Sequence, residues 1–256
     1  MSIIQTAERS SGEDASENVI FQRHLIAYKK AAELVKKNIL EIGCGEGYGI
    51  KELLPKVEKY ICIDKYESNI NFKSKKLTFI KSEVPPLDKI KSDSLDFVVT
   101  FQVIEHIEDD KFFVEEIFRV LKPGGKLILT TPNKAMTLSR NPWHVREYTN
   151  SEMKEILSLA FTNIKIFGVY GNQKVMNYYQ KNKESVNKIM KWDIFNLQYR
   201  LPRKLLQIPY DILNRYNRVS LKNKNSEIVD SINFTDYSIV QSHDDKYLDH
   251  FCVATK

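Results

Sequence analysis

Apolar residues run through this chain in two alternating rhythms. From about Val19 to Lys36, Phe21, Leu25, Tyr28, Ala32 and Val35 recur every three or four residues. That is the spacing of an amphipathic helix, with Ser16 or Asn18 placed to cap it. Short β-rich runs then alternate with helical ones. "NILEI" (38–42), "KYICID" (59–64), "LTFI" (77–80), "LDFVVTF" (95–101) and "KLILTT" (126–131) read as strands. Helices are expected over 47–54 and 109–121, the first ending near Pro55 and the second at "KPGG". The near-continuous apolar run at 95–101 predicts a central strand covered on both faces.

Strand, helix, strand at this spacing predicts an α/β fold, a doubly wound, mostly parallel sheet with helices on both faces. Right-handed crossovers then line the loops after the strands along one edge, where ligands of such sheets bind. Beyond residue 131 the rhythm loosens. A helix over 150–159 and a strand over 162–171 are expected, and "KYLDHFCVATK" (246–256) closes the chain as a last strand. The expected organisation is an arm and covering helix at 1–37 and an α/β core at 38–171. A basic helical insertion at 172–240 and a final core strand at 241–256 complete it.

Charge changes this picture in one place. The 256 residues carry a net charge of +6, yet residues 172–224 alone contribute +9. Within them, Leu205, Ile212, Tyr216 and Val219 share one helical face. Lys204, Asp211, Asn214, Arg215 and Arg218 share another. Pro202 suits a helix start, while Pro209 predicts a kink or restart. Three readings of this segment stand open: a lid over a ligand pocket, a surface lying on anionic membrane, or a partner surface. Basic residues among aromatics also suit RNA, although no RNA-binding module is recognisable. The start of the chain lacks the pattern of a signal peptide, and no apolar run approaches a membrane span. The expectation is a cytoplasmic protein, with a peripheral seat at the inner membrane as its extension. Cys44, Cys62 and Cys252 form no C-x-x-C pair and read as small buried thiols.

The chemistry concentrates in "ILEIGCGEGYG" (39–49), which holds four of the nine glycines. No Gly-Lys-Ser/Thr follows, so it is not a Walker loop. In a G-x-G-x-x-G register begun at Gly43 the third glycine would fall on Tyr48, and later registers fail as well. Gly43 and Gly45 permit a tight turn and close approach of a ligand to the backbone. Glu41, at the strand end, disfavours a phosphate and tolerates a cationic ligand; S-adenosylmethionine carries an ammonium and a sulfonium and no phosphate.

Here the sequence resembles the class I S-adenosylmethionine-dependent methyltransferases. Residues 41–47 match that family's E/D-x-G-x-G-x-G motif. Asp64, "FIKSEVPPL" (79–87), "TFQVIEHIED" (100–109) and "VLKPGGKLILTTPN" (120–133) follow in the family's order. The resemblance covers roughly residues 20–170 and the last strand. It implies a seven-stranded, Rossmann-like sheet whose last strand is antiparallel. It implies S-adenosylmethionine as cofactor, S-adenosylhomocysteine as product, and no metal. The cofactor residues it points to are Glu41, Gly43, Cys44, Gly45, Asp64, Lys65, Ser82, Glu83, Gln102 and Val103, with Asp64 on the ribose hydroxyls and Glu83 near the adenine amino group.

For the acceptor side, His106 is the candidate general base, since imidazole titrates near neutral pH. Glu105 would orient it or meet a substrate group, and His144 is a further catalytic candidate. "NPWHVREYT" (141–149) supplies candidate substrate residues Trp143, His144, Arg146 and Tyr148. It resembles a stretch in methyltransferases encoded among bacterial surface-glycan enzymes, as does the N-terminal 8–28. His24 is a candidate if the first helix covers the pocket. The expected reaction is O-methylation of a sugar or small polar acceptor in surface-polysaccharide or related secondary metabolism. The alternatives are a lipid-quinone or amine acceptor, an RNA methyltransferase, and a non-enzymatic S-adenosylmethionine-binding protein.

Overall fold

The structure, a computed structural model, describes residues 14–67, 74–241 and 244–256. The polar arm expected over the first residues lies outside them up to residue 13. The core strands are β1 (Asn38–Ile42), β2 (Lys59–Asp64), β3 (Leu77–Lys81), β4 (Leu95–Phe101), β5 (Leu121–Pro132), β6 (Asn163–Gly171), β7 (Tyr237–Gln241) and β8 (Asp249–Thr255). They form one eight-stranded sheet in the order β3-β2-β1-β4-β5-β8-β6-β7. Strands β1 to β5 pair in parallel, β8 is antiparallel to β5 and β6, and β7 is antiparallel to β6.

The strand count corrects the expectation of seven. The extra strand, β7, falls in a stretch read as helical insertion. "YSIVQ" buries only Tyr237 fully and sits at the sheet edge, so it never shows the continuous apolar run of a central strand.

Successive residues of each central strand point to opposite faces. Ile39, Val99 and Ile128 join one core, while Leu40, Val98, Leu127 and Leu129 join the other. The first core is covered by α1 (Asn18–Ala32) and α2 (Ile50–Leu53). The second is covered by α3 (Asp110–Val120) and α4 (Asn150–Ser158). Helix α3 begins where the Asp109 side chain accepts from Phe112 N, and α4 begins in a Thr149–Glu152 capping box. Neither Ser16 nor Asn18 caps α1. Asp14 caps the 3-10 turn before it, and the Asn18 amide instead donates to the carbonyls of Val229 (2.7 Å) and Ile232 (2.8 Å).

Between β6 and β7 lie α5 (Gln173–Met190), α6 (Leu197–Arg200), α7 (Arg203–Lys224) and α8 (Ser226–Ser231). The two Asn18 bonds hold the end of this segment against α1. Helix α7 continues through Pro209 and does not restart there. Pro209 is exposed, as is Leu205, whose carbonyl loses its i+4 donor, so that side of the helix lies toward solvent.

Candidate active site

Two cavities open along the edge where β1, β2 and β4 end. The larger, about 670 Å³, is lined by Gly43, Cys44, Gly45, Asp64, Lys65, Ser82, Glu83, Gln102 and Val103 among others. Nine of the ten predicted cofactor residues therefore meet in one space. The glycine loop makes its floor. Gly43 (φ +79°) and Gly45 (φ +51°) are left-handed, a conformation that a side chain disfavours. A Cβ on Gly43 would sit 2.3 Å from a Val103 methyl, whereas one on Gly45 would meet nothing within 4 Å. The main chain at Gly45 is thus laid bare to the cavity. Asp64, at the end of β2, fastens the loop: its carboxylate accepts from Gly45 N (2.9 Å) and from Tyr66 N (2.9 Å).

Glu41 is the exception. It does not line the cavity; it is buried behind it, accepting hydrogen bonds from the hydroxyls of Tyr28 (2.6 Å) and Tyr60. Burial pushes its carboxyl above the ordinary carboxylate range, against the lowering effect of those two bonds. It ties α1 and β2 to β1. The sequence showed an acid at a strand end but not that two tyrosines from distant elements would enclose it. Cys44, Cys62 and Cys252 are buried free thiols. The hydrogen bond with Cys62, and then burial, raise the pKa of Cys44.

The smaller cavity, about 260 Å³, adjoins the first; His24, Gln102 and His106 line both. Its remaining wall comes from distant segments: Arg23 of α1, Glu105, His144 and Glu147, then Tyr178 and Tyr179 of α5 and Tyr210 and Arg218 of α7.

The junction is built as a hydrogen-bonded array. His106 Nδ1 lies 3.1 Å from the Trp143 carbonyl oxygen, which only accepts. Nδ1 therefore carries the proton, and in the neutral ring Nε2 carries a lone pair. His144 packs edge-on against His106 with ring centres 5.0 Å apart. The Asn141 carbonyl oxygen accepts from Trp143 N (3.0 Å), which directs its NH₂ to His144 Nε2 (2.9 Å). His144 Nδ1 then donates to Glu147 (2.6 Å). Glu105 is buried and accepts from the Thr131 hydroxyl (2.9 Å), and burial raises the pKa of its carboxyl. Ligand-type atoms of Glu105, His106 and His144 all lie within 4.8 Å of one another. Such a set is also of the kind that holds a divalent cation. The bonds just described already use both ring nitrogens of His144 and one of His106.

The loop 141–149 divides into two roles. Trp143 lines the larger cavity and its indole donates to Asp211 of α7 (2.9 Å). His144 lines the smaller cavity. Arg146 and Tyr148 line neither of these two cavities. Arg146 pairs with Asp110 and donates to the Glu108 carbonyl (2.9 Å). The buried Tyr148 hydroxyl donates to Asp110 (2.8 Å), and its carbonyl accepts from His250 Nε2 (2.8 Å). Arg146 ties the loop to α3, and Tyr148 ties it to α3 and β8. Alternating site and anchor residues within one loop leave no periodic signal.

Sequence reading missed Arg23, Tyr178, Tyr179, Tyr210 and Arg218. Arg23 stands beside a residue that was singled out, His24, on the same helix. It lies 3.0 Å from Asp249 of β8. Asp249 is buried, its second carboxylate oxygen has no hydrogen-bond partner, and burial pushes its carboxyl up to about 6. The α5 and α7 residues belong to the segment for which a lid was one reading, but no motif marked them individually.

Comparisons with known proteins find similar sequences and a similar fold. A family model described as "Methyltransferase domain" matches residues 40–129. A Mycolicibacterium smegmatis protein named "Probable S-adenosylmethionine-dependent methyltransferase" is 35% identical over 171 residues, covering 60% of this chain and 63% of that protein. The matched segment thus spans less than two thirds of that relative. A mitochondrial ubiquinone biosynthesis O-methyltransferase of Dictyostelium discoideum is 28% identical over 115 residues, covering 38% of this chain and 36% of that one. In fold, the chain resembles the crystal structure of a SAM-dependent methyltransferase from Archaeoglobus fulgidus, with TM-score 0.53, 17% identity and 95% coverage of both chains.

Proposed function

We propose that this chain is a class I S-adenosylmethionine-dependent methyltransferase, its residues 40–129 matching a methyltransferase-domain model, and that it methylates a hydroxyl of a small, polar, sugar-like acceptor. One observation carries this reading. The glycine-floored cavity and the polar, aromatic one meet at Gln102 and His106, so a donor and an acceptor would face each other there.

The residues present fit the donor. The bare main chain at Gly45 admits a ligand lying flat against it. Asp64, which accepts from Gly45 N and Tyr66 N, lines the same cavity and would meet the ribose hydroxyls. Glu83 and Ser82, after β3, line the same cavity and would face the adenine. When bound, S-adenosylmethionine supplies an electrophilic methyl on a sulfonium. The chain's own work is to position the acceptor hydroxyl and take its proton. His106, which lines both cavities, would take that proton at Nε2, the Trp143 carbonyl favouring the tautomer with the hydrogen on Nδ1. The His144–Glu147 pair packs against the imidazole and keeps its ring in place.

The acceptor wall mixes hydroxyl, amide and guanidinium groups with aromatic rings, as suits a hydroxyl-rich ring. A phenolic acceptor is the second reading. It is favoured by the four tyrosines of that wall, Tyr178, Tyr179, Tyr210 and Tyr237, and by the likeness to a ubiquinone biosynthesis O-methyltransferase.

Calorimetry tests the donor site: micromolar binding of S-adenosylmethionine is expected, and Asp64→Ala should weaken it roughly 30-fold, the loss of about 2 kcal/mol of charged hydrogen bonding. Folded protein that gives no binding overturns the reading. Methyl transfer to sugar hydroxyls against simple phenols then decides between the two acceptor classes.

A further inference from the structure

Helix α7 carries its apolar face outward. Leu205, Ile208, Ile212, Tyr216 and Val219 recur at helical spacing and all are exposed, Ile208 at 72%, Ile212 at 64% and Tyr216 at 70%. The opposite face is polar and turned inward: Tyr210, Asn214, Asn217 and Arg218 line the smaller cavity. A helix packed only on its own domain shows the reverse arrangement. The stretch before it in sequence is apolar and exposed as well, with Trp192 86% exposed and Ile194, Phe195 and Tyr199 also exposed. Contiguous exposed apolar surface of this kind marks an interaction site.

Charge selects the occupant. Residues 172–224 carry a net charge of +9, and Lys188, Lys191, Arg200 and Lys204 are exposed along this part of the chain. A second copy of the chain would bring two such positive segments together. An anionic leaflet offers the opposite charge and an apolar interior at once. Tryptophan and tyrosine with flanking Lys/Arg is the composition of segments that lie in a membrane interface. Among the described residues no helix is long and apolar enough to cross a membrane.

We propose that the outer face of α7, with the turn around Trp192, seats this protein on an anionic lipid bilayer, lying in the headgroup region and not spanning it. Helix α7 then forms the wall between lipid and the smaller cavity. This surface stands independently of the methyl-transfer reading, because it uses none of the residues assigned to transfer.

The test is sedimentation of the full chain with vesicles. Pelleting is expected with mixed phosphatidylglycerol–phosphatidylcholine vesicles and not with phosphatidylcholine alone. The double variant Ile208→Asp, Ile212→Asp should lower vesicle affinity at least about tenfold with unchanged thermal unfolding. If that variant does not fold, Lys188→Gln with Lys191→Gln and Lys204→Gln replaces it and should abolish the dependence on phosphatidylglycerol. Absence of pelleting, or pelleting indifferent to the variants, overturns the proposal. So does a wild-type dimer in light scattering that Ile208→Asp, Ile212→Asp converts to monomer, or RNA capture that the same substitutions abolish without any vesicle binding.

Discussion

The two cavities share a wall and differ in how they are made. The larger is built mostly from the chain ends of β1, β2 and β4 and the turn that follows β1, and its floor is main chain. The smaller is assembled from side chains of α1, the loop after β5, α5 and α7, which lie up to about 200 residues apart in sequence. A ligand that reads main chain needs only a short motif at a strand end. A ligand that reads side chains depends on how distant segments pack. This explains why the larger cavity is legible in one short stretch of sequence while the smaller one is not.

The sharpest division falls at His106, which borders both spaces. His106→Ala should lower kcat by about 10²–10⁴, the usual contribution of a general base, with donor affinity held within roughly threefold. Stopped-flow or radiolabel assays of kcat beside calorimetry of the donor would show it; a parallel fall in both would merge the two cavities into one functional unit.

Next in size is a pH effect at Asp249, the partner of Arg23 in the smaller cavity's wall. The folded pKa of Asp249, about 6, lies above its unfolded value of 3.8. Its contribution to stability is therefore fully present below about pH 4 and is lost as pH rises through 6, by about 3 kcal/mol for a shift of two pH units. Asp249→Asn removes the titration. In denaturant melts, wild type should lose stability relative to the variant between pH 4 and 7, and parallel curves would refute the assignment.

On the larger cavity's side, Gly45→Ala places a methyl on a left-handed residue that faces the ligand space. A fall in donor affinity of about 10- to 100-fold is expected from strain plus lost approach, with the fold intact by circular dichroism. The smallest expected effect is none at all. Activity should survive exhaustive chelation, since His144 and His106 are already engaged in hydrogen bonds. Loss that a divalent ion restores would instead make Glu105, His106 and His144 a metal site and rewrite the smaller cavity's chemistry.

Several residues show where sequence reading stopped. Glu41 carries the right identity at the right strand end, yet two tyrosine hydroxyls turn it inward. Arg146 and Tyr148 sit in the right loop and are spent on Asp110. His24 was a conditional choice, and it lines both cavities because α1 does lie over them. For α7, the helical wheel separated an apolar from a polar face, but periodicity cannot say which one turns to the domain. Strand β7 escaped notice because a sheet edge buries only part of its side chains.

By itself the sequence determined the alternation of strands and helices, the order of the core strands along the chain, and the glycine turn with Asp64 that marks one ligand space. These follow from local rules: side-chain period, turn conformation, and residues near one another in the chain. Only the tertiary structure decided that Glu41 serves as an interior tie, that His106 holds one tautomer through a carbonyl 37 residues away, and that α7 shows its apolar side to the outside. Each depends on contacts between segments remote in sequence, where packing and hydrogen-bond geometry, not local propensity, fix the direction of a side chain.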